Sequence, residues 1–396
     1  MKILQISNRV PWPLNEGGTL GIYNYTRSFS ELGHQVTLYC LDGLKHNTPV
    51  AEATKELQKY AKVYIHPINT DVVVGDAFKG LLKNESYNVS RFYNAIFEEE
   101  IISLLNQEKF DVIQLEGTFL GPYIETIRSH FDGLISLRMH NVEYEIWERL
   151  AANEKNPLKR LYLSRLATQL KKYEKQLLAK VDVVVPVTEV DAAKFKALKS
   201  DLKIFVSPAG INLDEWQFAP TNNFTNWYHI GSMEWHANKE AAEWFITEIH
   251  PNLAAAFPAY KFHLAGKGLD KFNFENINQL NATAFVPSAY SFVAPLDVCV
   301  VPLKSGSGIR VKILEAMAAG KLVISTTIGA QGIPYVKGEH LLIADTAEEF
   351  TAAYTQLNNG SIDATKIVNN ARKLIEDAYS TDAITSQLVN YYSKNV

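Results

Sequence analysis

Late in the chain runs Pro302-Leu-Lys-Ser-Gly306-Ser307-Gly308-Ile309-Arg310-Val-Lys312-Ile-Leu-Glu315. A Gly-x-Gly turn that opens a helix lets backbone N–H groups face an anion at the helix N-terminus. Arg310 and Lys312 add two positive charges in the first turn, where the helix dipole disfavours cations. An anionic ligand offsets them there. Lys312 and Glu315, three apart, share one helix face, and a carboxylate one turn past a phosphate cradle suits the two hydroxyls of a ribose. A merely solvated charged face does not account for all of these features together. The pattern predicts an anionic nucleotide ligand.

Four further stretches follow predicted strands and carry weaker signals. Gly231-Ser232-Met-Glu-Trp235 and Gly266-Lys-Gly268 each read as a turn alone, but with the Arg310 loop they place glycines and cations around one mouth. The loop 8–19 ends in Gly17-Gly18, which either lets backbone amides approach a phosphate or sugar, or makes a plain tight turn. His140-Asn141 closes a strand, where an imidazole and an amide can hold sugar hydroxyls or a developing charge. The competing reading has Asn141 capping the next helix and His140 packing beneath it.

The elements that position these residues alternate along the chain. Strands are predicted at 2–7, 35–41, 63–68, 111–115, 134–139, 181–187 and 203–207, with helices at 20–32, 93–107 and 158–180 between them. A second series follows, with strands at 227–230, 261–265, 284–286, 298–302, 322–325 and 340–343 and helices at 239–256 and 310–319. Strand-helix alternation implies parallel sheets covered on both faces. In such sheets ligands bind beyond the carboxyl ends of the strands. Two α/β domains facing across a cleft are expected: 1–207 joined by a C-terminal helix over about 380–396, a Pro- and Gly-bearing linker at 208–221, and 222–379.

With 396 residues, two domains are the natural expectation, and 47% hydrophobic against 21% charged residues is the composition of a globular protein. Lys+Arg minus Asp+Glu is 39 − 43 = −4, which argues against a general nucleic-acid binder. Cys40 and Cys299 sit in apolar runs without a CxxC spacing and read as small core residues. No apolar run is long enough to span a membrane, and the first residues read as a strand rather than a signal peptide, so a cytoplasmic protein is expected. Residues 151–200 carry 11 basic and 5 acidic groups in this net acidic chain. The segment 155–180 reads either as a peripheral membrane face or as a helix buried on one side and solvated on the other.

Along nearly the whole chain these residues resemble the retaining GT-B glycosyltransferases of glycosyltransferase family four. The Gly17-Gly18 loop, His140-Asn141-Val-Glu, Ser-Pro-Ala-Gly-Ile-Asn and Ala-Gly-Lys-Leu-Val-Ile-Ser-Thr carry the likeness, and Glu315-Ala-Met-Ala-Ala-Gly is its most specific part. The resemblance implies a doubly wound GT-B fold of two Rossmann-like domains, the second binding a UDP-, GDP- or similar nucleotide sugar and the first presenting a glycan or lipid-linked acceptor. It places Glu315 on the ribose, Arg310 and Lys312 on the diphosphate, Gly18 beside the sugar or phosphates, and His140 beside the sugar hydroxyls. Val286 would lie at the strand end whose backbone reads the base. The resemblance implies no cofactor and no metal, a last helix that crosses back to the first domain, and polysaccharide assembly as the setting.

The chain departs from the family pattern twice. Ser307 stands where the usual E-x7-E motif has its first glutamate, and Gly231-Ser-Met-Glu-Trp-His-Ala-Asn-Lys239 replaces the usual Gly-Arg…Lys pattern. Arg310 and Lys312 take over the phosphate charge in a subgroup of the family. A nucleotide-sugar epimerase or hydrolase, and a non-catalytic sugar-nucleotide-binding protein, are the alternative readings.

Overall fold

A computed structural model describes residues 1–14, 17–44, 48–71, 86–208, 210–221, 223–271, 277–305 and 309–396. Gly306, Ser307 and Gly308 lie outside the described residues. The described chain divides into two compact units, Met1–Gly210 with Ile384–Val396, and Ile211–Ala383.

The first unit holds strands β1 (Lys2–Ser7), β2 (Gln35–Gly43), β3 (Lys62–Ile68), β4 (Val112–Glu116), β5 (Leu134–Met139) and β6 (Val183–Pro186). Its helices are α1 (Gly17–Glu31), α2 (Val50–Leu57), α3 (Tyr87–Ser90), α4 (Ala95–Gln107), α5 (Ile124–His130), α6 (Glu143–Asn153), α7 (Pro157–Leu178) and α8 (Glu189–Leu198). All strand pairs are parallel, in the order β3-β2-β1-β4-β5-β6. Every residue of β4 and β5 is buried. Parallel strands covered by helices on both faces require that. Apolar cores lie on the two faces, one around Leu115, Ile135 and Phe195, the other around Phe29, Val36 and Val112.

The second unit repeats the plan with β7 (Asn226–Ile230), β8 (Lys261–Ala265), β9 (Leu280–Thr283), β10 (Val298–Val301), β11 (Leu322–Ser325) and β12 (Leu342–Ile343). Its helices are α9 (His236–Trp244), α10 (His250–Ala256), α11 (Ala289–Val293), α12 (Val311–Ala318), α13 (Ala347–Asn358) and α14 (Ala364–Ala378). The order β12-β11-β10-β7-β8-β9 is the same doubly wound arrangement. Each sheet therefore reverses its winding once, between β1 and β4 and between β7 and β10. Ligands of such sheets bind at the carboxyl ends beside that reversal.

Three sequence expectations shift. Residues 203–207 form no full strand: they run beside β6 through one bridge, Val184 to Ile204, with Phe205 N donating to Val184 O at 3.0 Å. The strand expected at 284–286 lies earlier, because the register Phe262↔Leu280 to Ala265↔Thr283 exhausts β8. The helix expected at 239–256 begins at His236 and passes through a π turn at Phe245–Ile249. Pro251 in the first turn of α10 supplies no N–H to an α ladder, and a widened turn upstream accommodates that.

Ile211 and Trp216, from the stretch expected as a linker, are buried in the second unit beside Ala316 and Ala319. The last helix, α15 (Thr381–Ser393), adds Ile384, Leu388 and Tyr392 to the core around Ile3 and Val112. The Tyr392 hydroxyl meets Gln114 Oε1 at 2.8 Å and Ser136 Oγ at 2.7 Å. Both cysteines are free and buried. Among the described residues no helix is long and apolar enough to cross a membrane.

Candidate functional site

In the first unit, β4 ends on Glu116, whose carboxylate is fully buried. It accepts from Gln5 Nε2 at 2.7 Å, Arg138 Nη1 at 3.2 Å and His140 Nε2 at 3.0 Å. Burial alone would push this carboxyl up, but the Arg138 guanidinium, His140 and Gln5 outweigh it and hold it at about 2. Burial, and then Arg138, hold the His140 imidazole below its ordinary value. It is therefore neutral near pH 7. Because ionised Glu116 can only accept, the His140 proton sits on Nε2 and leaves Nδ1 as an acceptor. A cavity of about 190 Å³ opens here, lined by Asn8, Arg9, Gly18, Gly117, His140 and Glu143 among others. The structure thus brings Gly18 and His140 together; Gly17 begins α1 next to Gly18.

Asn141 does not cap the helix after it. It donates to Glu143 Oε1 at 3.2 Å, and the capping position is Val142, which has no side-chain acceptor. The cap comes instead from α7: the Glu174 carboxylate accepts from Glu143 N at 3.3 Å, Tyr144 N at 3.1 Å and Thr118 Oγ1 at 3.3 Å. Burial pushes Glu174 up to about 7, against these three donors. One buried carboxyl thus fixes the loops on both sides of the cavity.

In the second unit, the loops after β7 and β8 nest on their glycines. Gly266 has φ +149°, and a Cβ there would lie 1.9 Å from the Gly231 carbonyl oxygen. A Cβ on Gly231 would lie 2.7 Å from both Lys312 Nζ and Asn238 Nδ2. Ser232 is tied into the same loop, its carbonyl accepting from Asn238 Nδ2 at 3.0 Å. Lys312, in the first turn of α12, donates to Asn238 Oδ1 at 3.0 Å and reaches His229 Nε2 at 3.3 Å. His229 Nδ1 in turn lies 2.8 Å from Val300 O, which leaves Nε2 as the acceptor toward the lysine. Burial, and then Arg310, bring the Lys312 ammonium down to about 8.

Arg310 occupies the capping position of α12, is 4% exposed and holds its guanidinium 5.8 Å from the Trp235 ring centre. Ile309 packs against Gly332. Glu315 lies one turn beyond Lys312, its carboxyl raised to about 7 by burial and by Glu215. Gly231, Ser232, Gly266, Arg310 and Lys312 thus gather at the carboxyl ends of β7, β8 and β10. Val286 does not stand at a strand end: it sits in the loop between Thr283 and α11. Among the described residues no group of three or more His, Cys, Asp or Glu is arranged to hold a metal ion.

Sequence reasoning missed Glu116, Arg138, Glu174, His229 and Asn238. Glu116 follows the predicted strand 111–115, so the rule of reading past each strand reaches it. Asn238 lies in the first turn of α9, within the stretch 231–239 already singled out, whereas Arg138, Glu174 and His229 act from strand interiors or a distant helix and leave no local signal.

Residues 225–359 match the family model described as Glycosyl transferases group 1. Over the whole chain, the protein is 22% identical to the "Uncharacterized 44.6 kDa protein in cps region" of Klebsiella pneumoniae, covering 98% of each. Among solved structures it resembles Anabaena Alr3699/HepE in complex with UDP, with a TM-score of 0.62 and 13% identity over 100% of both chains. Sucrose-phosphate synthase from Thermosynechococcus elongatus superimposes with a TM-score of 0.64 and 14% identity, covering 100% of this chain and 99% of that one. The fold is the GT-B type, built of two Rossmann-like units.

Proposed function

We propose that the protein transfers a sugar from a nucleoside-diphosphate sugar to a hydroxyl of a glycan or lipid-linked acceptor, with retention at the anomeric carbon. The observation that carries this reading is Lys312: a half-buried ammonium, short of solvent, whose hydrogen-bond partners, Asn238 and His229, are both neutral. A partly desolvated charge among neutral partners is costly unless an anion completes the set. A diphosphate at the mouth formed by Gly231, Gly266 and Arg310 completes it. The match of residues 225–359 to the Glycosyl transferases group 1 model supports the same reading. Alr3699/HepE has been solved with UDP and with UDP-glucose, which favours a uridine donor.

In this reading Glu315 holds the ribose, and Gly231, Ser232, Gly266 and Ile309, with Gly306, Ser307 and Gly308, offer backbone groups to the diphosphate. Gly17 and Gly18 offer theirs beside the sugar. The Val286 backbone reads the base, and the free Nδ1 of His140 accepts from a sugar hydroxyl. The anomeric carbon–oxygen bond to the diphosphate breaks while the acceptor oxygen bonds on the same face. The acceptor proton passes to the departing phosphate. Arg310, Lys312 and the N-terminus of α12 stabilise the charge that grows on that phosphate, so the proposed reaction draws on these cations rather than on a metal ion.

The test is thermal stabilisation by UDP, GDP, ADP, CMP and dTDP, each beside its sugar conjugates. At a hundredfold excess over Kd, a true donor adds ~2.7 kcal/mol. Stabilisation by one nucleoside diphosphate, lost in Arg310→Ala and Lys312→Ala, is the expected result. With the donor in hand, Arg310→Ala should lower kcat by about 30–1,000-fold, as loss of a contact worth ~2–4 kcal/mol implies. No stabilisation by any of them would overturn the transferase reading.

A further inference from the structure

Helix α7 buries Leu166, Leu170, Glu174, Leu177 and Leu178 against the first unit. Its first two turns do not follow that pattern. Leu158 is 79% exposed and Leu161 69%, and Pro157, Lys159 and Arg160 around them are exposed as well. Helical spacing puts Leu158, Leu161, Arg165 and Lys172 on one stripe, turned away from the buried face. The adjoining helix α6, which packs against α7, adds exposed Ile146 and Leu150. The only acid of α7 is Glu174, and it is buried under the cap of α6. Lys159 and Lys171 pair with Glu154 and Glu148, whereas among the described residues no carboxylate pairs with Arg160, Arg165 or Lys172.

We infer that the α6–α7 hairpin is a docking surface for an anionic lipid bilayer. Leu158 and Leu161 enter the boundary between headgroups and acyl chains, and Arg160, Arg165 and Lys172 meet the lipid phosphates. A second copy of the chain fits this surface poorly. The exposed apolar residues are few and interrupted by cations, where the core of a stable protein interface is depleted of charge. A two-fold contact would also set the cationic stripe against itself. The hairpin springs from the His140 loop, since α6 begins at Glu143, so docking holds that loop at the bilayer surface.

The experiment is co-sedimentation of the full-length protein with vesicles of phosphatidylcholine alone or mixed with phosphatidylglycerol. Binding should require the anionic lipid and weaken steeply between about 0.1 M and about 0.5 M salt. Arg165→Gln with Lys172→Gln should lower partitioning about thirtyfold at low salt, taking ~1 kcal/mol per cation. Leu158→Ser with Leu161→Ser should lower it at least about tenfold. Both pairs should keep the wild-type melting temperature and nucleotide stabilisation, which separates this inference from the donor-site reading. No binding, equal binding to neutral vesicles, or binding indifferent to these substitutions would overturn it. So would lipid-free dimerisation abolished by the leucine pair, which would assign the surface to self-association.

Discussion

Two charges, fully buried Glu116 at the end of β4 and half-buried Lys312 in the helix after β10, are treated differently. Glu116 is surrounded by Arg138, His140 and Gln5, whereas Lys312 has the neutral partners Asn238 and His229. Lys312→Met should therefore change folding stability by less than about 1 kcal/mol, since relief from burying the ammonium offsets the donor lost to Asn238 and His229. The same variant should lose stabilisation by the nucleoside diphosphate, as melting with and without ligand will show. A severely destabilised variant would mark Lys312 as structural. Glu174 gives a pH signature. Its carboxyl stays protonated in the native state up to about 7, while an ordinary glutamate ionises near 4.5. Between those values the unfolded state holds fewer protons, so this group's contribution to stability falls as pH rises. Glu174→Gln keeps an acceptor for the Glu143 and Tyr144 amides and removes the titration. Its melting temperature relative to wild type should climb from pH 4.5 to 7; a constant difference would mean Glu174 is already ionised there.

Elements show where sequence is legible and where it is not. β1, β5, β8 and β11 end as their apolar runs do, because buried parallel strands are apolar on both faces. β9 is an edge strand whose residues are mostly exposed, so Asn281 and Thr283 read as loop and the strand was expected three residues late. The donor-side loops were legible from glycines and cations, but their closeness was not: only the fold shows that Gly266 rests on the Gly231 carbonyl. Gly266→Ala should cost more than about 3 kcal/mol by chemical denaturation, from its positive φ and that clash together. Gly231→Ala should instead leave a folded protein with weakened nucleotide binding, because the atoms it meets are the movable ends of Lys312 and Asn238. For α15, Tyr392→Ala should cost about 3–5 kcal/mol, as loss of a buried aromatic does. Tyr392→Phe should cost about 1–3 kcal/mol through Gln114 and Ser136.

At the scale of the molecule, two sheets of the same winding order carry different chemistry at their reversal points. One holds a neutral imidazole oriented by a carboxylate; the other holds cations and close-approach glycines. Hydrogen exchange with UDP should accordingly show protection centred on the loops after β7, β8 and β10. Protection centred instead on 117–143 would reverse the assignment of the two sites. The path of the chain sets a further order. The first unit takes residues Met1–Gly210 and then Ile384–Val396, with all of the second unit between them. In chain order, therefore, the second unit is complete before the first acquires the helix that covers Ile3 and Val112. The half of the protein that emerges first from the ribosome is the half finished last. A released chain truncated after Ala383 should resist protease in the second unit and stay sensitive in the first.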